Sequence, residues 1–315
     1  LDVAANGDAA FGHYYPEYLD GPRYPAYVTI YSASNINPGG RKIEAPYMRE
    51  MRALAMTSAY DIWFVGRPDF DPYSYYIFNY QGGEWSWYED PSRDGMDLLY
   101  FFSPGEGLGF DGTDMYRLTA DGWRYWTSAP DVASLKPCDF KSPTEIWAVG
   151  YPRVNDSRGS RVLRFDGTSW REVFRPGYHY AIHDVAMWDD DNGWAVGYYR
   201  KGKDYEGRVW RCREGTWHEC ACPVRYALGN IEFVSPVEAW ALTYSKILHY
   251  TTEPNIAPAS LGRVKALYAA GRGSDSKGPL TDAYLVPEAP GPTTGSGTPT
   301  YPGTHSPECS TDDAE

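Results

Sequence analysis

The sequence has little cysteine, few positive charges and no long apolar run. Five cysteines stand in 315 residues, at positions 138, 212, 220, 222 and 309. A set this sparse and odd in number excludes a disulfide-dense scaffold. Cys220 and Cys222 are too closely spaced for a zinc knuckle, and no second pair matches them. They read as buried or incidental thiols, with one disulfide among Cys212, Cys220 and Cys222 as the alternative. No stretch approaches the ~18 consecutive apolar residues of a membrane-crossing helix. Lys and Arg number 29 against 42 Asp and Glu, a net charge of −13. That balance argues against nucleic acid and anionic membrane as partners and serves solubility. No signal peptide is legible and the chain starts at Leu1, so a processed protein is expected, extracellular, periplasmic or on the cell surface.

What is abundant is aromatic. Tyr (28) and Trp (12) lift the aromatic share to 16%, and 32 Gly with 25 Pro supply turns. Tyr, Trp, Val and Thr suit pleated surfaces, so the composition reads as all-β.

A unit recurs along the chain. Asp61-Ile62-Trp63-Phe64-Val65-Gly66, Glu145-Ile146-Trp147-Ala148-Val149-Gly150, Asn192-Gly193-Trp194-Ala195-Val196-Gly197 and Glu238-Ala239-Trp240-Ala241-Leu242 align on their Trp. Asp97-Leu98-Leu99-Tyr100-Phe101 and Asp282-Ala283-Tyr284-Leu285-Val286 fit as degenerate copies. Anchors at 63, 99, 147, 194, 240 and 284 lie in the period range of propellers. Seven residues before the Trp stands Met56, Phe140, Met187 or Phe233. Downstream, the pairs Tyr80/Trp85, Leu118/Trp123, Phe165/Trp170 and Cys212/Trp217 each bracket a four-residue loop containing Gly. Each unit is therefore a four-stranded meander. Its second strand is apolar on both faces and must be sandwiched between neighbouring sheets. That is the situation of a propeller blade.

The expected fold is a single β-propeller, six blades of four antiparallel strands being the leading count. Residues 1–13 are an N-terminal extension, 14–287 the propeller, and 288–315 a Pro/Gly/Thr/Ser-rich tail or linker. Tyr14 to Tyr31 supply the outer strands of the last blade. They join an inner strand near Arg263 to Ala270 and a second strand at Asp282 to Val286, closing the ring and hiding its edges.

The units Glu145 to Trp170 and Asn192 to Trp217 resemble the repeats of bacterial extracytoplasmic β-propellers, which read roughly D-x-W-A-V-G … D-G-x-x-W. They are also similar to sialidase-type and photosystem-assembly-factor propellers. The resemblance covers most of residues 14 to 287 and implies a fold that hosts hydrolases, lectins and scaffolds alike. Arg164-Phe165-Asp166-Gly167 lacks both the hydroxyl residue and the Asp-to-Gly spacing of the sialidase Asp-box, and the copies lack the Gly-Gly doublet of kelch repeats.

Binding usually lives on variable loops of a rigid scaffold. Those between second and third strands are Arg67 to Tyr75, Tyr151 to Ser160 and Tyr198 to Gly207. They carry Arg153, Arg158, Arg161, Tyr199, Arg200, Lys201, Lys203 and Arg208, and the neighbouring connector adds Arg175, Tyr178, His179 and Tyr180. A basic, Tyr-bearing patch on an acidic body suits an acidic protein surface or an anionic glycan; a solvated loop face that relieves negative charge is the plainer alternative. His179 and His183 lie about 13 Å apart on a strand and cannot share a metal. Asp189-Asp190-Asp191-Asn192 occupies a turn position and reads as an acidic turn rather than a calcium loop. No catalytic set, metal site or cofactor is expected. The leading function is a non-catalytic secreted scaffold or accessory subunit that binds protein. A lectin-like module comes second and a glycoside hydrolase or lyase third.

Overall fold

The computed structural model describes residues 2–3, 9–13, 26–31, 40–153, 159–220, 222, 224–235, 238–243, 246–251 and 283–287. No helix occurs among them. The described residues form twenty-four strands in six four-stranded sheets. The chain divides into two compact units, one of Leu1–Ser134, Ser142–Thr144 and Gly167–Trp170, the other of Leu135–Lys141, Glu145–Asp166 and Arg171–Glu315.

The first unit holds three sheets. They are β1 (Asp2–Val3), β2 (Ala9–His13), β3 (Tyr27–Tyr31) and β4 (Arg41–Glu44); β5 (Met48–Ser58), β6 (Asp61–Pro68), β7 (Tyr76–Gln81) and β8 (Glu84–Glu89); and β9 (Leu98–Ser103), β10 (Glu106–Asp111), β11 (Asp114–Thr119) and β12 (Gly122–Ser128). The second unit is built on β13 (Ser134–Ser142), β14 (Glu145–Tyr151), β15 (Arg161–Phe165) and β16 (Trp170–Phe174). It continues with β17 (Tyr180–Met187), β18 (Gly193–Lys201), β19 (Asp204–Arg213) and β20 (Thr216–Cys220), then β21 (Leu228–Ser235), β22 (Glu238–Thr243), β23 (Ile247–Thr251) and β24 (Ala283–Pro287).

The expected sandwiching of the second strand is visible residue by residue. In β6, Ile62 and Phe64 join a core with Val28 and Ile30 of β3, while Trp63 and Val65 join a separate core with Leu99 and Trp123. In β18, Ala195 packs with Ile182 and Trp210, and Val196 with Leu228 and Ile231. Successive side chains point to opposite faces of a strand, so a strand greasy at every position needs a neighbour on each side. Each such Val, Ile or Phe side chain contributes roughly 1.5–3 kcal/mol of burial.

The acid two residues before the anchor has a structural reason. The indole Nε1–H donates to Asp61 at 2.9 Å from Trp63, to Glu145 at 3.3 Å from Trp147 and to Glu238 at 3.2 Å from Trp240. Residues two apart share a face, so the carboxylate satisfies a buried donor that nothing apolar could. A polar third-strand residue completes the set: Asn79 on Asp61, Arg164 on Glu145 and over Trp147, and His249 on Glu238 with its ring 3.9 Å from that of Trp240.

The glycine three residues after the anchor also has a steric cause. Met51 pairs with Gly66 and Ala53 with Val65, leaving Arg52 as an extra residue; Ile182 pairs with Gly197 and Asp184 with Val196, leaving His183. These are β-bulges, which kink a strand and re-aim the side chain at the kink. A Cβ at Gly66 would lie 2.4 Å from the Glu50 carbonyl oxygen, and one at Gly197 1.9 Å from that of Ala181. The glycine makes room for the bulge.

Several expectations need correction. The copy anchored at Leu99 is a first strand, and the second strand is β10, where Leu108 pairs with Arg117 as Trp147 pairs with Arg164. Trp63, Phe101 and Trp123 crowd the other face of β10, over Gly107 and Gly109, with Trp63 and Phe101 centroids 5.0 Å apart. The same crowding explains Gly107 and Gly109, whose Cβ atoms would strike Phe101 and Met96. The bracketed loops are tighter than four residues. Tyr80 pairs directly with Trp85, Leu118 with Trp123 and Cys212 with Trp217, across two-residue turns such as Gly82-Gly83. Residues 2–3 and 9–13, expected as an extension, form β1 and β2.

The proposed closing blade is not what the strands form. Tyr27–Tyr31 pairs with Ala9–His13 and Arg41–Glu44, and Ala283–Pro287 is the edge strand beside β23, parallel to it. No sheet mixes N-terminal and C-terminal strands among the described residues. The antiparallel N-terminal strands satisfy one another's backbone groups within their own sheet. Residues 14–25, 263–270 and 288–315 lie outside the described residues.

Candidate functional site

The loop expected over Tyr198 to Gly207 is a continuation of the β18–β19 hairpin. The ladder runs from Tyr198↔Gly207 through Tyr199↔Glu206 and Arg200↔Tyr205 to Lys201↔Asp204, leaving Gly202-Lys203 as the turn. Gly202 has φ 65°, as a II′ hairpin turn demands at its first central position. β17 accompanies this hairpin only to Tyr180↔Tyr199, with one further bond from Arg200 N–H to the His179 carbonyl at 2.8 Å. The tip therefore projects past its own sheet.

Aromatic rings brace its base. Tyr180 and Tyr199 lie 4.9 Å apart, His179 stands edge-on to Tyr199 at 6.0 Å, and Tyr178 lies 4.7 Å from His179. The Arg208 guanidinium sits 5.2 Å over the Tyr199 ring. Burial pushes the Tyr180 phenol up. Tyr178 is 63% exposed, Tyr205 51% and Tyr226 59%.

The expected basic residues separate into two groups. Arg161 is buried on β15 and pairs with Glu172 at 3.2 Å, and Arg175 donates to the same carboxylate from Nε at 2.7 Å. The hydrogen bond from Arg175, then that from Arg161, holds the Glu172 carboxyl below its ordinary range. Arg208 pairs with Glu206 at 2.9 Å and Glu219 at 2.8 Å, and its hydrogen bond lowers the Glu206 carboxyl. Lys201 reaches Glu206 only at 4.0 Å. Arg153, Arg200 and Lys203 are exposed and make no ion pair among the described residues, and Arg158 lies outside them. Arg225, whose carbonyl accepts from Gly207 N–H at 3.3 Å, adds an exposed cation beside Tyr226. Sequence reasoning missed Arg225 and Tyr226 because nothing in their spacing ties them to the hairpin.

A second polar cluster lies on the first strands β13, β17 and β21. Asp184 is buried and accepts from Ile231 N–H at 2.9 Å and from Asn230 at 3.5 Å. Burial raises its carboxyl, with Lys136 opposing. The Cys138 thiol donates to the Lys136 carbonyl at 3.1 Å, and burial pushes the thiol well up, the state of an inert structural cysteine. Every member is committed to backbone or to its neighbours, so the cluster ties strands together rather than facing a substrate. Cys138, Cys212, Cys220 and Cys222 are all free thiols.

A shallow cavity of about 480 Å³ lies between Lys141, Glu145, Trp188 and the Asp189–Asn192 turn. Asp189 Oδ1 accepts the Asp191 and Asn192 N–H groups at 2.9 and 2.8 Å, which is turn chemistry. Arg164 spans Glu145 at 3.3 Å and Asp190 at 2.8 Å. Burial and the Asp190 neighbour raise the Glu145 carboxyl.

No protein-family model and no curated protein matches the sequence. Solved structures do. The GH74 xyloglucanase from Xanthomonas campestris is 14% identical with a TM-score of 0.52, over 82% of this chain and 45% of that one. The extracellular domain of a one-component system from B. thetaiotaomicron is 9% identical, TM-score 0.46, over 74% and 32%. A fucose-specific lectin from Aleuria aurantia is 12% identical, TM-score 0.38, over 77% and 85%. The likeness to the xyloglucanase shows the fold: this is an all-β protein of the β-propeller class. The chain spans less than half the length of that enzyme.

Proposed function

We propose that this chain is a non-catalytic, secreted or envelope-exposed six-bladed propeller that binds an acidic protein surface through the β18–β19 hairpin and the Tyr178–Tyr180 connector. The observation that carries this reading is the projecting tip. It presents Arg200, Lys201 and Lys203 with exposed Tyr178 and Tyr205, on a chain whose net charge is −13. Rigid aromatic rings supply contact area at low entropic cost, and cations against an acidic background steer a complementary partner. Arg161, Arg175 and Arg208 serve the scaffold instead, since Glu172, Glu206 and Glu219 neutralise them.

The exposed tyrosines also favour a second reading, an anionic glycan on the same face. Immobilised polyglutamate and heparin separate the two. The wild-type chain is expected to be retained on polyglutamate at low salt and released as salt rises. The triple variant Arg200→Glu, Lys201→Glu, Lys203→Glu should lose retention while its melting temperature stays put, because surface substitutions of this kind stay within about ±0.5 kcal/mol. Retention on heparin alone would favour the glycan. Equal retention of the variant on both would remove this site.

A further inference from the structure

The β18–β19 hairpin has two faces, and they differ in charge. Residues paired directly across an antiparallel ladder share a face, and neighbours along a strand point to opposite ones. The ladder Tyr198↔Gly207, Tyr199↔Glu206, Arg200↔Tyr205 and Lys201↔Asp204 therefore puts Tyr199, Lys201, Asp204 and Glu206 on one side and Tyr198, Arg200 and Tyr205 on the other. The contacts agree. Tyr199 meets Tyr180, His179 and Arg208, whereas Tyr198 meets Tyr205 edge-on at 4.9 Å. Deeper in the sheet the same alternation sends Ala195 and Trp210 to a core with Val149 and Ile182, and Val196 and Val209 to a core with Leu228 and Ile231.

On the Tyr199 side the cations are neutralised within the molecule. Arg208 is paired with Glu206 and Glu219, Lys201 approaches Glu206 at 4.0 Å, and Asp204 stands directly across from Lys201. The Tyr198 side carries Arg200 and, between Tyr198 and Gly207, no carboxylate. Arg200 Nε donates a long bond to the Gly202 carbonyl at 3.4 Å, and no acid pairs with it among the described residues.

The chain that follows β20 lies against this second face. Gly207 N–H donates to the Arg225 carbonyl at 3.3 Å, and a Cβ on Gly207 would sit 2.4 Å from the Tyr226 carbonyl oxygen and 2.9 Å from that of Val224. A glycine is what allows two backbones to approach so closely. The contact brings Arg225 and Tyr226, both exposed, to the edge of the face that holds Arg200 and Tyr205.

We propose that the acidic partner is gripped on the Tyr198 side of the hairpin, as an extended run of Asp or Glu reached by the Arg200 and Arg225 guanidinium groups and lying across the Tyr205 and Tyr226 rings. The inference rests on the reading of this hairpin as the docking site for an acidic protein and assigns the gripping face within it; the Tyr178–Tyr180 connector braces the hairpin from the other side. A planar guanidinium takes a carboxylate through two parallel N–H bonds, and at Arg200 no internal acid competes for them. Tyr and Arg together are the side chains that anchor interfaces. Lys201 sits between carboxylates of its own, which offset its attraction for a foreign one.

The test follows the fluorescence anisotropy of a labelled oligoglutamate peptide titrated with the full chain at low salt. Arg200→Ala and Lys201→Ala each remove one positive charge from adjacent positions, so attraction by net charge alone weakens both complexes equally. The face assignment expects severalfold weaker binding in Arg200→Ala and in Arg225→Ala, with Lys201→Ala close to wild type. In the wild-type chain the Tyr205 and Tyr226 ring resonances should shift as peptide is added while that of Tyr178 stays in place, a readout that needs no variant. Equal weakening by Arg200→Ala and Lys201→Ala, an unaltered complex in Arg225→Ala, or a shift of the Tyr178 ring in place of Tyr205 would overturn the face assignment and leave the hairpin as the site. A wild-type chain that binds heparin but no oligoglutamate, or neither, would overturn the acidic-protein reading and this inference with it.

Discussion

Removing the Asp61 carboxylate tests whether the acid before each anchor Trp is there for the indole. Asp61, Trp63 and Asn79 are 7%, 8% and 6% exposed. Asp61 accepts from Thr57 Oγ1 at 2.5 Å, Trp63 Nε1 at 2.9 Å and Asn79 Nδ2 at 3.0 Å. In Asp61→Ala the half-buried Thr57 hydroxyl can turn to water, so it adds little. The Trp63 donor has no other partner and stays orphaned, at about 1–3 kcal/mol. Asn79 keeps a long second bond to the Ile62 carbonyl at 3.4 Å, so its loss is nearer the low end, about 1 kcal/mol. The expected sum is about 2–4 kcal/mol. Asp61→Asn retains one acceptor oxygen for the two buried donors and should cost about 1 kcal/mol. Urea unfolding with a constant m-value measures both. The reasoning is refuted if alanine costs less than ~0.5 kcal/mol, or if asparagine costs as much as alanine.

Other expectations follow from the same packing. Trp147→Ala should destabilise by about 3–5 kcal/mol, since the ring is buried against Val149, Val185 and Trp210; a loss below ~1 kcal/mol would contradict its place in the core. Gly197→Ala drives a methyl into the Ala181 carbonyl, and calorimetry should register about 1–3 kcal/mol of lost stability. The same change at Gly82, in an open turn with nothing within 4 Å but with φ 64°, should cost no more than about 1–2 kcal/mol.

The sandwiched second strands were legible because their signal is local. A run such as Glu145-Ile146-Trp147-Ala148-Val149-Gly150 is apolar on both faces wherever it sits, and the paired residues after it mark a hairpin by adjacency alone. The candidate site was half legible. Lys201, Lys203, Tyr199 and Tyr205 share one hairpin, so their proximity follows from chain continuity.

What only the tertiary structure decided depends on which distant groups meet. Arg161 and Arg175 counted as free cations until the fold set both against Glu172, and Arg208 until Glu206 and Glu219 closed on it. Gly107 and Gly109 stand in β10 because Phe101 of β9 and Met96 fill the space their Cβ atoms would take, which no pattern within β10 could announce. The bulges at Arg52 and His183 arise from register between strands, and the one sequence trace they leave is the glycine opposite. A strand's periodicity is written in its own residues. Charge compensation, crowding and register are properties of pairs, and the fold alone chooses the pairs.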